Sequence, residues 1–178
     1  MLRRLFSLAG LALLGACVPV APSEHIGATP PPDTTALPTT PLSFDLDSLD
    51  DRSVSAPALR GKPAVLAFVV SDTLAGQAEA DILATLAQRQ PDAARYVLVA
   101  VEPAEHRELF EGFLRFFHEK TRGALLGAMA DHDTLLGQGP FGDVRALTVV
   151  VLDPRGHMVL RKSGVVQGVD IARVLGTM

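Results

Sequence analysis

Two uninterrupted apolar runs govern what this chain can become. Ala64-Val65-Leu66-Ala67-Phe68-Val69-Val70 follows Pro63, and residues 96–101 read Tyr-Val-Leu-Val-Ala-Val. Neither run alternates, so each reads as a strand buried on both faces. Between them Ala75, Ala78, Ile82 and Leu86 recur at helical spacing, and Pro91 closes that segment. Strand, helix over residues 75–89, and strand make a crossover unit. Its right-handed form lays the helix against the sheet.

The remaining pattern extends this unit. Pro103 suits the first turn of a helix, and Leu109, Phe110, Phe113, Leu114 and Phe117 then form one stripe. Residues 148–152 read as a third core strand. Asp153-Pro154-Arg155-Gly156 is a turn by composition. Residues 158–161 pair back as a hairpin strand, and residues 169–175 form a short final helix. In front, Leu42, Phe44 and Leu46 alternate with Ser43, Asp45 and Asp47, the mark of a half-buried strand. The order predicts an α/β sandwich around a central mixed sheet, with antiparallel pairing supplied by the terminal hairpin. One Tyr, no Trp and eight Phe leave the core to Val, Leu and Ala.

The chain before residue 42 has a different character. Arg3 and Arg4 precede a ten-residue apolar stretch, residues 5–14, which is too short to span a bilayer. Leu14-Gly15-Ala16-Cys17 follows, and small residues before a cut are what a signal peptidase needs. Cys17 is the only cysteine, so an internal disulfide is impossible and an exported thiol needs another use. Leu-Gly-Ala-Cys resembles the lipobox of bacterial lipoproteins, which implies that residues 1–16 are removed and Cys17 carries the lipids. Attachment by two or more acyl chains is stable, whereas one is marginal. Val18, in place of the Asp that holds such proteins at the inner membrane, leans toward the outer membrane. Residues 18–41 hold seven of the thirteen prolines and read as an extended tether. The expected division is signal peptide 1–16, lipidated Cys17 with tether 17–41, and folded domain 42–178. Removing residues 1–16 takes two arginines and no acid, moving the formal charge from −4 to −6. No basic stripe supports nucleic-acid binding.

Several short motifs share one likeness. Leu59-Arg60-Gly61-Lys62-Pro63, Leu66-Ala67-Phe68, Ala78-Glu79 and Val151-Leu152-Asp153-Pro154-Arg155-Gly156 together resemble thioredoxin-like proteins of the TlpA and peroxiredoxin-like group, across roughly residues 42–175. The resemblance implies a Cys-x-x-Cys pair at the start of the first long helix, where the helix N-terminus lowers a thiol pKa. In this chain Thr73 stands at the attacking position and Gly76 at the resolving position. A Thr hydroxyl is not ionised near neutral pH and no base adjoins it. The resemblance also implies a cis-Pro before the third core strand, and its place falls near Leu147. A cis bond before a non-proline residue costs about 3 kcal/mol, so a trans bond is expected there. Copper chaperones of Sco type share the Asp-Pro-x-Gly turn, but their two Cys places are empty here and the His place falls near Arg145.

Other candidates have simpler readings. Asp131, His132 and Asp133 could ligate a metal with His106 or His118, but a polar loop in which Asp133 caps a short helix at 134–136 accounts for them. His118 suits the C-terminal end of a helix. Glycines 137, 139 and 142 carry no phosphate-binding fingerprint. No metal site, catalytic set or cofactor is expected. The function expected is that of a lipid-anchored envelope protein with a redox-inactive binding or scaffold domain and an envelope protein partner. The alternative is a periplasmic thiol–disulfide oxidoreductase or antioxidant enzyme of redoxin type.

Overall fold

The computed structural model describes residues 36–50, 52–102, 106–131, 139–142, 144 and 147–178. Cys17 and the tether as far as residue 35 lie outside them. The described elements are β1 (Asp45–Ser48), β2 (Val54–Ser55), α1 (Ala56–Leu59), β3 (Ala64–Val69), α2 (Leu74–Arg89), β4 (Arg95–Glu102), α3 (Arg107–Lys120), β5 (Leu125–Asp131), β6 (Leu147–Leu152), β7 (Met158–Ser163) and α4 (Gly168–Leu175). The strands form one sheet in the order β2-β1-β5-β4-β3-β6-β7. β3 pairs with β4 and β4 with β5 in parallel; the other pairings are antiparallel.

The two apolar runs are the sheet's centre. Every residue of β3 is buried, and in β4 only the end residues Arg95 and Glu102 escape. Alternate β3 residues serve opposite cores. Val65, Ala67 and Val69 face α2, α3 and α4, which cover one side of the sheet. Leu66 and Phe68 face the other side, with Leu42, Leu59, Phe141 and Val144. There Phe141 sits 4.9 Å from the Phe68 ring and 4.8 Å from the Phe44 ring. Tyr96 is fully buried, and its hydroxyl donates to the Gln90 carbonyl at 3.1 Å. That bond satisfies the one polar atom the residue carries inward.

The mixed α/β sandwich expected from the sequence is present, with bounds shifted by a few residues. The front strand begins at Asp45 rather than Leu42; Leu42 instead ties to the β6–β7 turn through a bond from its N–H to the Gly156 carbonyl at 2.9 Å. The hairpin strand runs on to Ser163. β2, α1 and β5 were absent from the sequence reading. β5 is the substantive omission, because it sits inside the sheet between β1 and β4. Its sequence, Leu-Leu-Gly-Ala-Met-Ala-Asp, lacks the β-branched and aromatic residues that mark strands. Close packing explains the glycine. A Cβ on Gly127 would come within 3.2 Å of Leu114 on α3 and 3.1 Å of Leu49. The loop expected at Asp131 is therefore corrected in part: Asp131 ends β5. Residues 132–138, with the expected cap Asp133, lie outside the described residues, as does Pro103.

Candidate functional site at the first turn of α2

The end of β3 delivers the chain to α2 through Val70, Ser71, Asp72 and Thr73. Glu102, at the end of the neighbouring β4, holds this loop from the side. Its Oε1 accepts the Ser71 N–H at 2.9 Å and the Ser71 hydroxyl at 3.4 Å. Thr73 is the N-cap of α2, in extended conformation at φ −100° and ψ 142°. Its hydroxyl accepts the Gly76 N–H at 3.0 Å and donates to the Val70 carbonyl at 2.9 Å. The hydroxyl is thus engaged on both sides in holding the turn. Thr73→Ala is expected to lower stability by about 1 kcal/mol, read from urea unfolding, because the Gly76 N–H and the Val70 carbonyl each lose a partner. An unchanged midpoint would contradict this geometry.

Gly76 is buried one turn into α2. A Cβ built on it would overlap the Val70 carbonyl oxygen and approach the Thr73 hydroxyl at 2.9 Å. The backbone of β3 has closed onto the helix at the position the resemblance assigns to a resolving cysteine. Leu147 opens β6 directly opposite Val69 of β3, and its carbonyl accepts the Gly164 N–H at 2.9 Å. The three positions singled out in the sequence, Thr73, Gly76 and Leu147, therefore meet at the same end of β3. Every peptide bond among the described residues is trans. Arg145 lies outside them.

One residue of this region entered the sequence reading only as part of the family likeness. Glu79 lies one turn beyond Gly76 on the same inward face of α2 and is completely buried. Its Oε2 accepts the Val166 N–H at 2.8 Å, from the loop joining β7 to α4. Its Oε1 has no hydrogen-bond partner among the described residues. Burial pushes the carboxyl up to about 7 from an ordinary 4.5, against the pull of the Val166 amide and the Lys162 charge. Lys162 is meanwhile held by Asp170 of α4 at 3.2 Å. The signal was available: Glu79 falls on the helical stripe of Gly76, Ala80, Leu83 and Leu86, all buried. A charge at a core position of an amphipathic helix marks either an error in phase or a special site.

Of the metal alternative, His132 and Asp133 lie outside the described residues. His106 precedes α3 and His118 lies in its last turn, so their backbones stand about 18 Å apart along the helix. His118 points its Nδ1 at the Leu125 carbonyl, 2.9 Å away. Among the described residues no cluster of three His, Cys, Asp or Glu side chains could hold a metal ion. Nor is any described helix long and apolar enough to cross a membrane.

No family model and no curated protein matches the sequence. Solved structures do match its fold. An exposed lipoprotein thioredoxin, Etrx1 of Streptococcus pneumoniae, is 20% identical with a TM-score of 0.59, covering 76% of this chain and 99% of its own. A thiol:disulfide interchange protein of the thioredoxin family from Chlorobium tepidum is 17% identical with a TM-score of 0.61, covering 80% of this chain and 97% of its own. A DsbF homologue from Corynebacterium diphtheriae is 20% identical with a TM-score of 0.58, covering 78% and 87% respectively. The fold is thioredoxin-like. Within it, Thr73 caps α2 and Gly76 lies in its first turn, and the one cysteine of the sequence is Cys17.

Proposed function

We propose that this chain is a lipid-anchored envelope protein whose thioredoxin-like domain works by binding a partner rather than by exchanging disulfides. The observation that carries the reading is the state of the α2 first turn. The Thr73 hydroxyl is committed to capping, and Gly76 leaves no room for a side chain against the Val70 carbonyl. Thiol–disulfide exchange needs a thiolate and a second sulfur within reach. Neither position supplies one. Cys17 lies at the far end of a proline-rich stretch, and the lipobox-like Leu14-Gly15-Ala16-Cys17 gives it a different use. The pneumococcal structural relative is itself described as an exposed lipoprotein, which accords with attachment at Cys17. Val18 favours the outer membrane, and the partner is an envelope protein.

The second reading, a thiol–disulfide oxidoreductase, draws on the relatives described as disulfide oxidoreductases or interchange proteins. Two measurements on the membrane-extracted chain separate the readings. Insulin reduction by the purified protein is expected to match a buffer control, and turnover above it would overturn the proposal. Intact mass is expected to show a chain beginning at Cys17 with a diacylglyceryl-type addition. A free Cys17 thiol would favour the oxidoreductase.

A further inference from the structure

α3 presents a seam that the fold leaves uncovered. Leu109 is 73% exposed and Phe116 58% exposed. Gly112 lies between them, three residues after one and four before the other. A Cβ on Gly112 would meet nothing within 4 Å. Glycine inside a helix weakens it, and nothing among the described residues requires one here. Phe113, on the shoulder of the seam, is only partly buried.

The charges along α3 divide into two groups. Arg107 reaches Asp47 at 2.6 Å and Glu111 at 3.0 Å, and Lys120 reaches Asp81 at 2.5 Å. These side chains are tied within the domain. Glu108 and Arg115 have no ion-pair partner among the described residues. Both lie one residue before a seam position, Glu108 before Leu109 and Arg115 before Phe116.

This spacing is self-complementary. Leu109, Gly112 and Phe116 occupy a, d and a positions of a heptad, and Glu108 and Arg115 occupy successive g positions. Two such helices packed antiparallel about a two-fold axis at Gly112 set Leu109 against Phe116 of the second copy. The same operation sets Glu108 against Arg115 of the second copy, twice. The glycines meet at the crossing, where the absence of a Cβ lets the backbones approach.

We propose that α3 is a self-recognition helix, through which two copies of this chain pair antiparallel across Gly112. The inference is independent of the redox reading, because none of its residues belongs to the α2 first turn. A single helix pair lies at or below the low end of the ~1,200–2,000 Å² of stable interfaces, so the contact is concentration-dependent.

Cysteine cross-linking of the full chain in its own membrane tests this. Gly112→Cys, exposed to a mild oxidant, is expected to give a disulfide-linked dimer in several-fold higher yield than Gln77→Cys, on the exposed face of α2. The wild-type chain reads any contribution from Cys17. In the Gly112→Cys background, Glu108→Arg or Arg115→Glu alone should return the yield to the control level. The two together should restore it, an outcome that loss of folding cannot imitate. Equal yields at the two cysteine positions, cross-linking to a different protein, or failure of the double reversal to restore the dimer would overturn the proposal.

Discussion

Gly76→Cys, alone or combined with Thr73→Cys, is expected to weaken the domain by about 2–4 kcal/mol and to create no disulfide reductase. The midpoint of thermal unfolding should fall by roughly 10 °C. The cause is steric and begins at the first side-chain atom. A Cβ at residue 76 overlaps the Val70 carbonyl oxygen, which belongs to the backbone leaving the central strand. Backbone there cannot yield without moving β3, which is paired on both edges. Gly76→Ala should therefore carry most of the loss. Gly112→Ala on α3 supplies the contrast, because the space beside it is open and alanine favours a helix by about 1 kcal/mol over glycine. Differential scanning calorimetry of these four variants decides the matter. A Gly76→Ala protein as stable as wild type would show that the turn opens freely, and with it would go the argument that this site has closed.

The second large effect concerns pH. The Glu79 carboxyl is pushed up to about 7 in the folded chain, from an ordinary 4.5. Between those values the folded state binds more protons than the unfolded state, so stability falls as pH rises. The Glu79 contribution is complete below pH 4.5 and lost as pH climbs through 7, an effect of about 3 kcal/mol. Glu79→Gln keeps the volume and an oxygen for the Val166 N–H but cannot ionise. The difference in unfolding free energy between variant and wild type should therefore move by about 3 kcal/mol in the variant's favour between pH 4.5 and 8. Urea titrations at pH 5, 6, 7 and 8 measure it. Parallel profiles for the two proteins would show that the carboxylate remains ionised and solvated in the native state.

The sequence displayed the fold where burial was two-sided and chemically uniform. The runs now seen as β3 and β4 had no competing interpretation, and α2, expected over residues 75–89 with Pro91 closing it, was bounded within a residue or two. β5 escaped because Gly127, Ala128 and Ala130 stand where β-branched or aromatic residues would mark a strand, and at Gly127 Leu49 and Leu114 crowd the place of a Cβ. The site was legible by subtraction: Thr73 and Gly76 were noticed because sulfur was missing. What spacing could not convey was the contact between residue 76 and the Val70 carbonyl, since that depends on how the loop closes. Glu79 was visible in the helical stripe as a charge among apolar neighbours. Its significance came only from the loop carrying Val166, which returns to α2 from a part of the chain far away in sequence.

The register of the central strand has a consequence for how the protein is made. Ala64 pairs with Leu152, and Val69 with Leu147, so one edge of β3 is completed from near the end of the chain. A chain emerging N-terminus first can assemble β3 beside β4, yet the other edge of β3 stays bare until β6 has appeared. Such long-range pairing slows folding, and an open strand edge invites association with any other unfinished chain. The molecule therefore passes through synthesis with its most apolar strand half covered. Only when β6 follows, after α2, β4, α3 and β5, is that edge of β3 made safe.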